Sequence, residues 1–261
     1  MNTVRSPLEV TLSVWKALFL REAVTRLATG RAAWLWLLLE PVAQVVMLMV
    51  VFSVIRKGSY QGVDFALYLA IGVIGFSMFK NSAQRAIDAI PANAALFAYR
   101  QVKPVDAVLV RSTLDGLIEF LVALALLAGS ALAGMDVIPH DPVGVILVFF
   151  LLWLFGTGFG LILSVGSELI PEIGKVARLM FTPLYFVSGV MFSPHLLPPA
   201  VRDWVVVNPV MHGIELMREA FFASYPPLVG IDSGYLAIFA LGAFLLGLAL
   251  HVRFARRLVE Q

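Results

Sequence analysis

No cysteine occurs in the 261 residues, so disulfides, thiolate metal sites and cysteine nucleophiles are all excluded. Charge is scarce as well. Asp, Glu, Lys and Arg make up 14% of the chain, against about 25% in a typical soluble domain. The net charge of +2 is too small to draw the chain to nucleic acid. No G-x-x-x-x-G-K-[ST] run is present, so the chain has no P-loop to cradle nucleotide phosphates. Any ATP-driven work therefore needs an ATPase on another chain. No H-E-x-x-H, G-x-S-x-G or D-x-D occurs either, and the histidines (His140, His195, His212, His251) stand isolated. The sequence offers no catalytic residue and no metal ligand set.

What remains is apolar. Hydrophobic residues account for 60% of the chain and the mean hydropathy is +0.91. Several uncharged runs approach the roughly twenty residues that cross a bilayer as a helix. No polar stretch of domain size interrupts them. This predicts an all-α integral membrane protein with one membrane domain over 1–261. The first thirty-one residues carry Arg5, Lys16, Arg21, Arg26 and Arg31 among Glu9 and Glu22, which is not the pattern of a cleaved signal peptide.

Leu8, Leu12, Trp15 and Phe19 recur at helical spacing, and Glu22–Arg26 is an i,i+4 pair in the favourable order. The stretch 8–30 reads as an amphipathic helix in the cytoplasmic interface or an ordinary helix packed on the bundle. Span one is expected over Ala32–Ile55, with Trp34 and Trp36 at its headgroup end. Span two covers Phe65–Phe79 and continues through Lys80 and Arg85 as it leaves the membrane. A basic, proline-bracketed loop follows over 86–106, with Pro91 and Pro104 limiting its backbone freedom. Between them a helical piece, Ala92–Tyr99, is expected to present Leu96 and Phe97 as an exposed apolar knob. Spans three and four fall at Ala107–Gly134 and Val143–Val165, and no Lys or Arg occurs from Ser112 to Gly174. Pro171 breaks the chain before span five, Val176–Phe192. The stretch 193–233 is rich in proline, and its apolar pieces, Pro199–Val207 and Val210–Ala223, are too short to span. Short helices dipping into the outer face fit that pattern. Span six is Gly234–Val252.

Six spans put both termini on one side. On the cytoplasmic assignment only Arg56, Lys57, Arg202 and Arg218 lie outside, and every other cation lies inside. The positive-inside rule then places the N and C termini in the cytoplasm.

Two clusters of ionisable residues stand out. Arg111, Asp115 and Glu119 share one face of span three at i, i+4, i+8. A proton relay would make the protein a secondary transporter. The favoured reading is an intrahelical Arg111–Asp115 pair, with Glu119 seeking a partner across helices. Glu215, Arg218 and Glu219 read by default as a solvated helix face. Aromatics are frequent along the spans: Tyr68, Phe76, Phe79, Phe155, Phe159, Tyr185, Phe186 and Phe192. Many such rings face lipid or neighbouring helices, but a sugar polymer also slides well on aromatic faces.

Four blocks carry a family likeness. LFLREAVTRLATGRAAWLWLLLEP (Leu18–Pro41), ANAALFAYRQVKPVDAVLVR (Ala92–Arg111), PLYFVSGVMF (Pro183–Phe192) and NPVMHGIELMREA (Asn208–Ala220) occur in that order. With them the chain resembles the membrane subunit of KpsM-type capsular polysaccharide ABC exporters over about Glu9–Arg253. The resemblance implies a homodimeric permease of the bacterial inner membrane, carrying no cofactor of its own. ATP and Mg would be bound by two separate ATPase subunits of the KpsT type. It implies that a coupling helix at Ile90, Ala92, Asn93, Leu96, Phe97, Tyr99 and Arg100 enters the ATPase, touched also by Arg21, Glu22 and Arg26. It implies a periplasmic gate over Leu197–Ala223, with Arg202, Glu215 and Arg218. The substrate class is a lipid-linked acidic polysaccharide, passed to a periplasmic co-polymerase or export protein of the KpsE type. For such a substrate, Arg26, Arg31, Lys80 and Arg85 are expected at the cytoplasmic entrance of a canal lined by the aromatics named above. The related O-antigen exporters share this architecture, and the YR-VKP-D pattern at Tyr99–Asp106 leans to the capsule branch. A membrane glycosyltransferase is disfavoured by cytoplasmic loops too short for a catalytic domain.

Overall fold

The computed structural model describes residues 6–27, 39, 42–43, 45–51, 59–60 and 63–259. Among the described residues the chain is mostly helical, with one pair of two-residue strands. Helix α1 is Pro7–Leu27. Strands β1 (Ser59–Tyr60) and β2 (Val63–Asp64) pair antiparallel, Ser59 opposite Asp64. Then come α2 (Phe65–Ile87), α3 (Pro104–Leu132), α4 (Pro142–Leu169), α5 (Pro171–Val187), α6 (Pro199–Val205), α7 (Pro209–Phe221) and α8 (Ser233–Arg253). Two 3-10 turns, Pro91–Ala98 and Pro194–Leu196, complete the order.

Local chemistry sets the helix starts. Asp64 accepts the Ala66 and Leu67 N–H groups at 2.8 and 3.2 Å to cap α2, and Asp232 caps α8 through Gly234 and Tyr235. Helices α3 to α7 all begin with proline, whose missing N–H costs nothing in a first turn. Among the described residues four helices are long and apolar enough to cross a membrane: α2, α3, α4 and α8. Their bounds fall within a few residues of the expected spans two, three, four and six. Helix α5 is as long as expected span five but lies five residues earlier, starting at Pro171 and ending at Val187, with Pro183 inside. Most of expected span one lies outside the described residues, including Trp34, Trp36 and Glu40.

Helix α2 packs against α3, α4, α5 and α7. Helix α4 lies between α2 and α8, and its glycines permit the close approach. A Cβ at Gly156 would collide with the Phe79 carbonyl of α2, and one at Gly158 with the Phe244 backbone of α8. Small residues at such crossings let membrane helices pack backbone to backbone. Helix α7 is enclosed by α2, α4 and α8, so Val210 to Glu215 are all buried.

Helix α1 docks against α3. The expected apolar stripe is not its buried side: Leu8 and Leu12 are exposed, while Leu18 is buried. The tie is polar. Asp106, at the start of α3, accepts the Lys103 N–H at 3.0 Å and the Trp15 indole N–H at 2.8 Å.

Candidate functional site

Helices α2, α3 and α5, with Val45 and Leu48, enclose a cleft of about 570 Å³. Its α2 wall runs Phe76, Ser77, Lys80, Asn81 and Gln84. Positions 76, 80 and 84 lie on one helix face, and at about 1.5 Å per residue they extend over roughly 12 Å. Helix α5 runs in the opposite chain direction along the cleft and contributes Arg178, Thr182, Tyr185 and Phe186. Glu119 comes from α3. The result is a polar end, holding Lys80, Gln84 and Arg178, that grades through Ser77 and Thr182 into an aromatic end. There the Phe76 and Tyr185 rings meet edge-on at 5.1 Å, and Tyr185 meets Phe186 at 5.6 Å.

The structure divides the expected canal residues. Phe76, Lys80, Tyr185 and Phe186 share this cleft. Tyr68, Phe79 and Phe155 do not line it; they are core residues. Phe79 stacks on Phe155 at 5.0 Å because α2 and α4 approach closely enough to enclose both rings. Phe159 lines a separate apolar cavity between α4 and α5, and Phe192 is half-buried in the loop after α5. Arg31 lies outside the described residues. Sequence reasoning missed Arg178 as a cleft residue. The signal was its spacing from Thr182 and Tyr185, which sets all three along one side of α5.

Arg26 and Arg85 are committed elsewhere, and the intrahelical Arg111–Asp115 pair is not formed. Asp115 pairs instead with Arg26 of α1 and with Arg85 of α2 at 3.3 Å. Arg111 pairs with Glu22 of α1 at 3.0 Å and donates to the Asp88 carbonyl at 2.9 Å. Glu22 also holds Arg26 at 3.1 Å. Partners delivered by α1 and α2 take precedence over the neighbour one turn away. The network ties α1 to the ends of α2 and α3 that adjoin the loop. Arg21 points away and is exposed.

The loop after α2 departs from expectation in one respect. Pro91–Ala98 is a 3-10 turn, and Phe97 is not an exposed knob: it is 6% exposed. Its ring packs in a cluster with Ala86, Ala89, Ile90, Ala107, Val108 and Leu258. Asn93 is buried too, and its amide donates to the Ala89 carbonyl at 2.7 Å. Ile90, Asn93 and Phe97 anchor the turn to the bundle. Ala92 and Arg100 are exposed, Leu96 is half-buried, and Tyr99 stands out at 67% exposure.

In the outer region the solvated-face reading fails. Glu215 and Arg218 are each 0% exposed and pair at 2.7 Å. Arg218 donates to the Gly189 and Val190 carbonyls at 2.9 and 2.8 Å, and its guanidinium lies 3.6 Å from the centre of the Tyr68 ring. Glu215 accepts the Tyr225 hydroxyl at 2.8 Å. Burial works against the Arg218 charge, but Tyr68 and Glu215 outweigh it and hold its pKa above the ordinary value. Burial, with Glu215 adding to it, pushes the Tyr225 hydroxyl far above its ordinary range. Glu219 is half-buried, accepts the Leu228 N–H at 3.1 Å, and is raised by burial. Arg202, on α6, is half-buried and belongs to none of these contacts.

Among the described residues no group of His, Asp and Glu is placed to hold a metal ion. His212 and His251 are buried and hydrogen-bonded, to Val206 and Ser164 respectively.

Long apolar helices around a half-polar cleft are the architecture of a membrane permease. Residues 13–222 match the ABC-2 type transporter family, and the chain belongs to that family. It is 36% identical over 95% of its length, and 95% of the relative's, to the polysialic acid transport protein KpsM of Escherichia coli. It is 26% identical over its full length, and 98% of the relative's, to the capsule polysaccharide export inner-membrane protein BexB of Haemophilus influenzae. To the corresponding protein CtrC of Neisseria meningitidis serogroup B it is 25% identical, over 94% of this chain and 92% of that one.

Proposed function

We propose that this chain is the permease subunit of an ABC transporter exporting lipid-linked capsular polysaccharide across the bacterial inner membrane. The supporting observation is the cleft, basic at one end and aromatic at the other, in a chain that matches KpsM along almost its whole length. Lys80 and Arg178 meet acidic groups of the substrate, and Phe76, Tyr185 and Phe186 give sugar faces a surface with little directional preference. Two copies of the chain complete the path, each with six spans and both termini in the cytoplasm. The interface helix 8–30 and the loop 86–106 face a separate ATPase subunit, which binds ATP and Mg. Within that loop Tyr99 and Arg100 are the residues available to a partner, held in place by Phe97 and Ile90. Helices α6 and α7, within 193–233, form the outer end of the path, where the polymer passes to a periplasmic export protein.

Co-purification tests the reading. The chain, extracted from its native membrane, is expected to bring an ATPase subunit with it in equal number. Recovery without any nucleotide-binding partner, under conditions that preserve the fold, contradicts it.

A further inference from the structure

One acidic group stands in a cleft whose other charges are cationic. Glu119 is 6% exposed, lines the cleft from α3, and accepts a hydrogen bond from the Asn81 amide of α2. Among the described residues Asn81 is its only hydrogen-bond partner. Lys80 lines the same cleft beside Asn81, and Arg178, which also pairs with Asp88, lines it from α5. A carboxylate at membrane depth is costly, and a purely structural tie between α2 and α3 is already supplied by Asp115 with Arg85 and by Ser112 donating to the Ser82 carbonyl. A path lined only by cations would also hold a polyanion too firmly, since conduction needs binding weak enough to release.

Carboxylate and amide together have a different chemistry from Lys80 and Arg178. The carboxylate repels acid groups and accepts hydrogen bonds from hydroxyls. The amide both donates and accepts. We propose that Asn81 and Glu119 form a subsite for the uncharged hydroxyls of a sugar unit, distinct from the Lys80–Arg178 position that takes the unit's acidic group. This rests on the reading of the cleft as a glycan path. The pair then acts as a selectivity element, favouring acidic polymers that carry hydroxyls over polyanions that carry none.

The probes are oligogalacturonate, acidic and hydroxyl-bearing, and polyglutamate, acidic without hydroxyls. Both are titrated against the permease in nanodiscs. Glu119→Gln weakens hydroxyl acceptance and removes a like charge. The ratio of the two dissociation constants is expected to move toward polyglutamate by about tenfold, the size of one charge-assisted hydrogen bond. Lys80→Gln with Arg178→Gln is expected to weaken both polymers together. Asn81→Ala repeats the test with the carboxylate in place and is expected to weaken oligogalacturonate alone. An unchanged ratio in both Glu119→Gln and Asn81→Ala, with the Lys80–Arg178 variant still weakening both probes, overturns the subsite. Unchanged binding in the Lys80–Arg178 variant overturns the glycan path, and the subsite with it.

Discussion

Replacing Arg218 by Met leaves Glu215 without its cationic partner in a place where neither side chain reaches solvent. Three hydrogen bonds disappear, to Glu215 at 2.7 Å, Gly189 at 2.9 Å and Val190 at 2.8 Å, and so does the contact with the Tyr68 ring. Removing one member of a buried pair costs about 3–5 kcal/mol. Two stranded carbonyls add about 1–3 kcal/mol each at most, but these losses overlap, because Glu215 keeps the Tyr225 hydroxyl as a donor and the carbonyls can shift. We expect about 4 kcal/mol for Arg218→Met, read as the loss in unfolding free energy during denaturant titration of the permease in micelles. Glu215→Met is expected to cost a similar amount. The double variant, which leaves no charge buried, is expected to recover roughly 2 kcal/mol relative to the sum of the singles. A single variant within about 1 kcal/mol of the parent, or strict additivity in the double, refutes the reasoning that each buried charge depends on the other.

Phe97→Ala is expected to lower stability by about 3 kcal/mol, because it empties part of a packed cluster, and a thermal shift in detergent reads it. Tyr99→Ala, on an exposed ring, is expected to leave that stability within about 0.5 kcal/mol while reducing ATPase stimulation in the assembled transporter. Asp115→Asn is expected to loosen α1 from α2 and α3, since the carboxylate joins Arg26 and Arg85. Faster proteolysis within residues 8–27 of the folded protein is the readout. Gly156→Val places two methyl groups against the Phe79 carbonyl; overpacking there is expected to cost about 1–3 kcal/mol or more, with reduced yield of folded protein.

Span positions were legible because they depend on composition along a single helix. The onset of α2 near Phe65 and the break at Pro171 follow from uncharged runs and proline chemistry alone. Which charges pair was not legible. Spacing on α3 made Arg111 and Asp115 look like mutual partners, yet Arg26 arrives from 89 positions away to take Asp115. The burial of Glu215 and Arg218 was hidden for a related reason. Charge on a short helix signals a solvated side only when one side meets water, and α7 is enclosed by three other helices. Phe97 shows the same limit at the scale of a loop: an apolar residue in a basic stretch fits a partner's cleft or the chain's own core equally well. The cleft itself was half legible, through Lys80, Phe76, Tyr185 and Phe186, whereas Arg178 and Glu119 became part of it only once α3 and α5 were placed against α2.

ATP-dependent uptake of an acidic capsule polymer into inverted membrane vesicles carrying this chain and its ATPase tests the export reading most directly. Uptake that requires ATP and falls at least several-fold in the Lys80→Gln, Arg178→Gln variant is the expected result. Uptake that persists without hydrolysable ATP and collapses when the proton gradient is dissipated would contradict it.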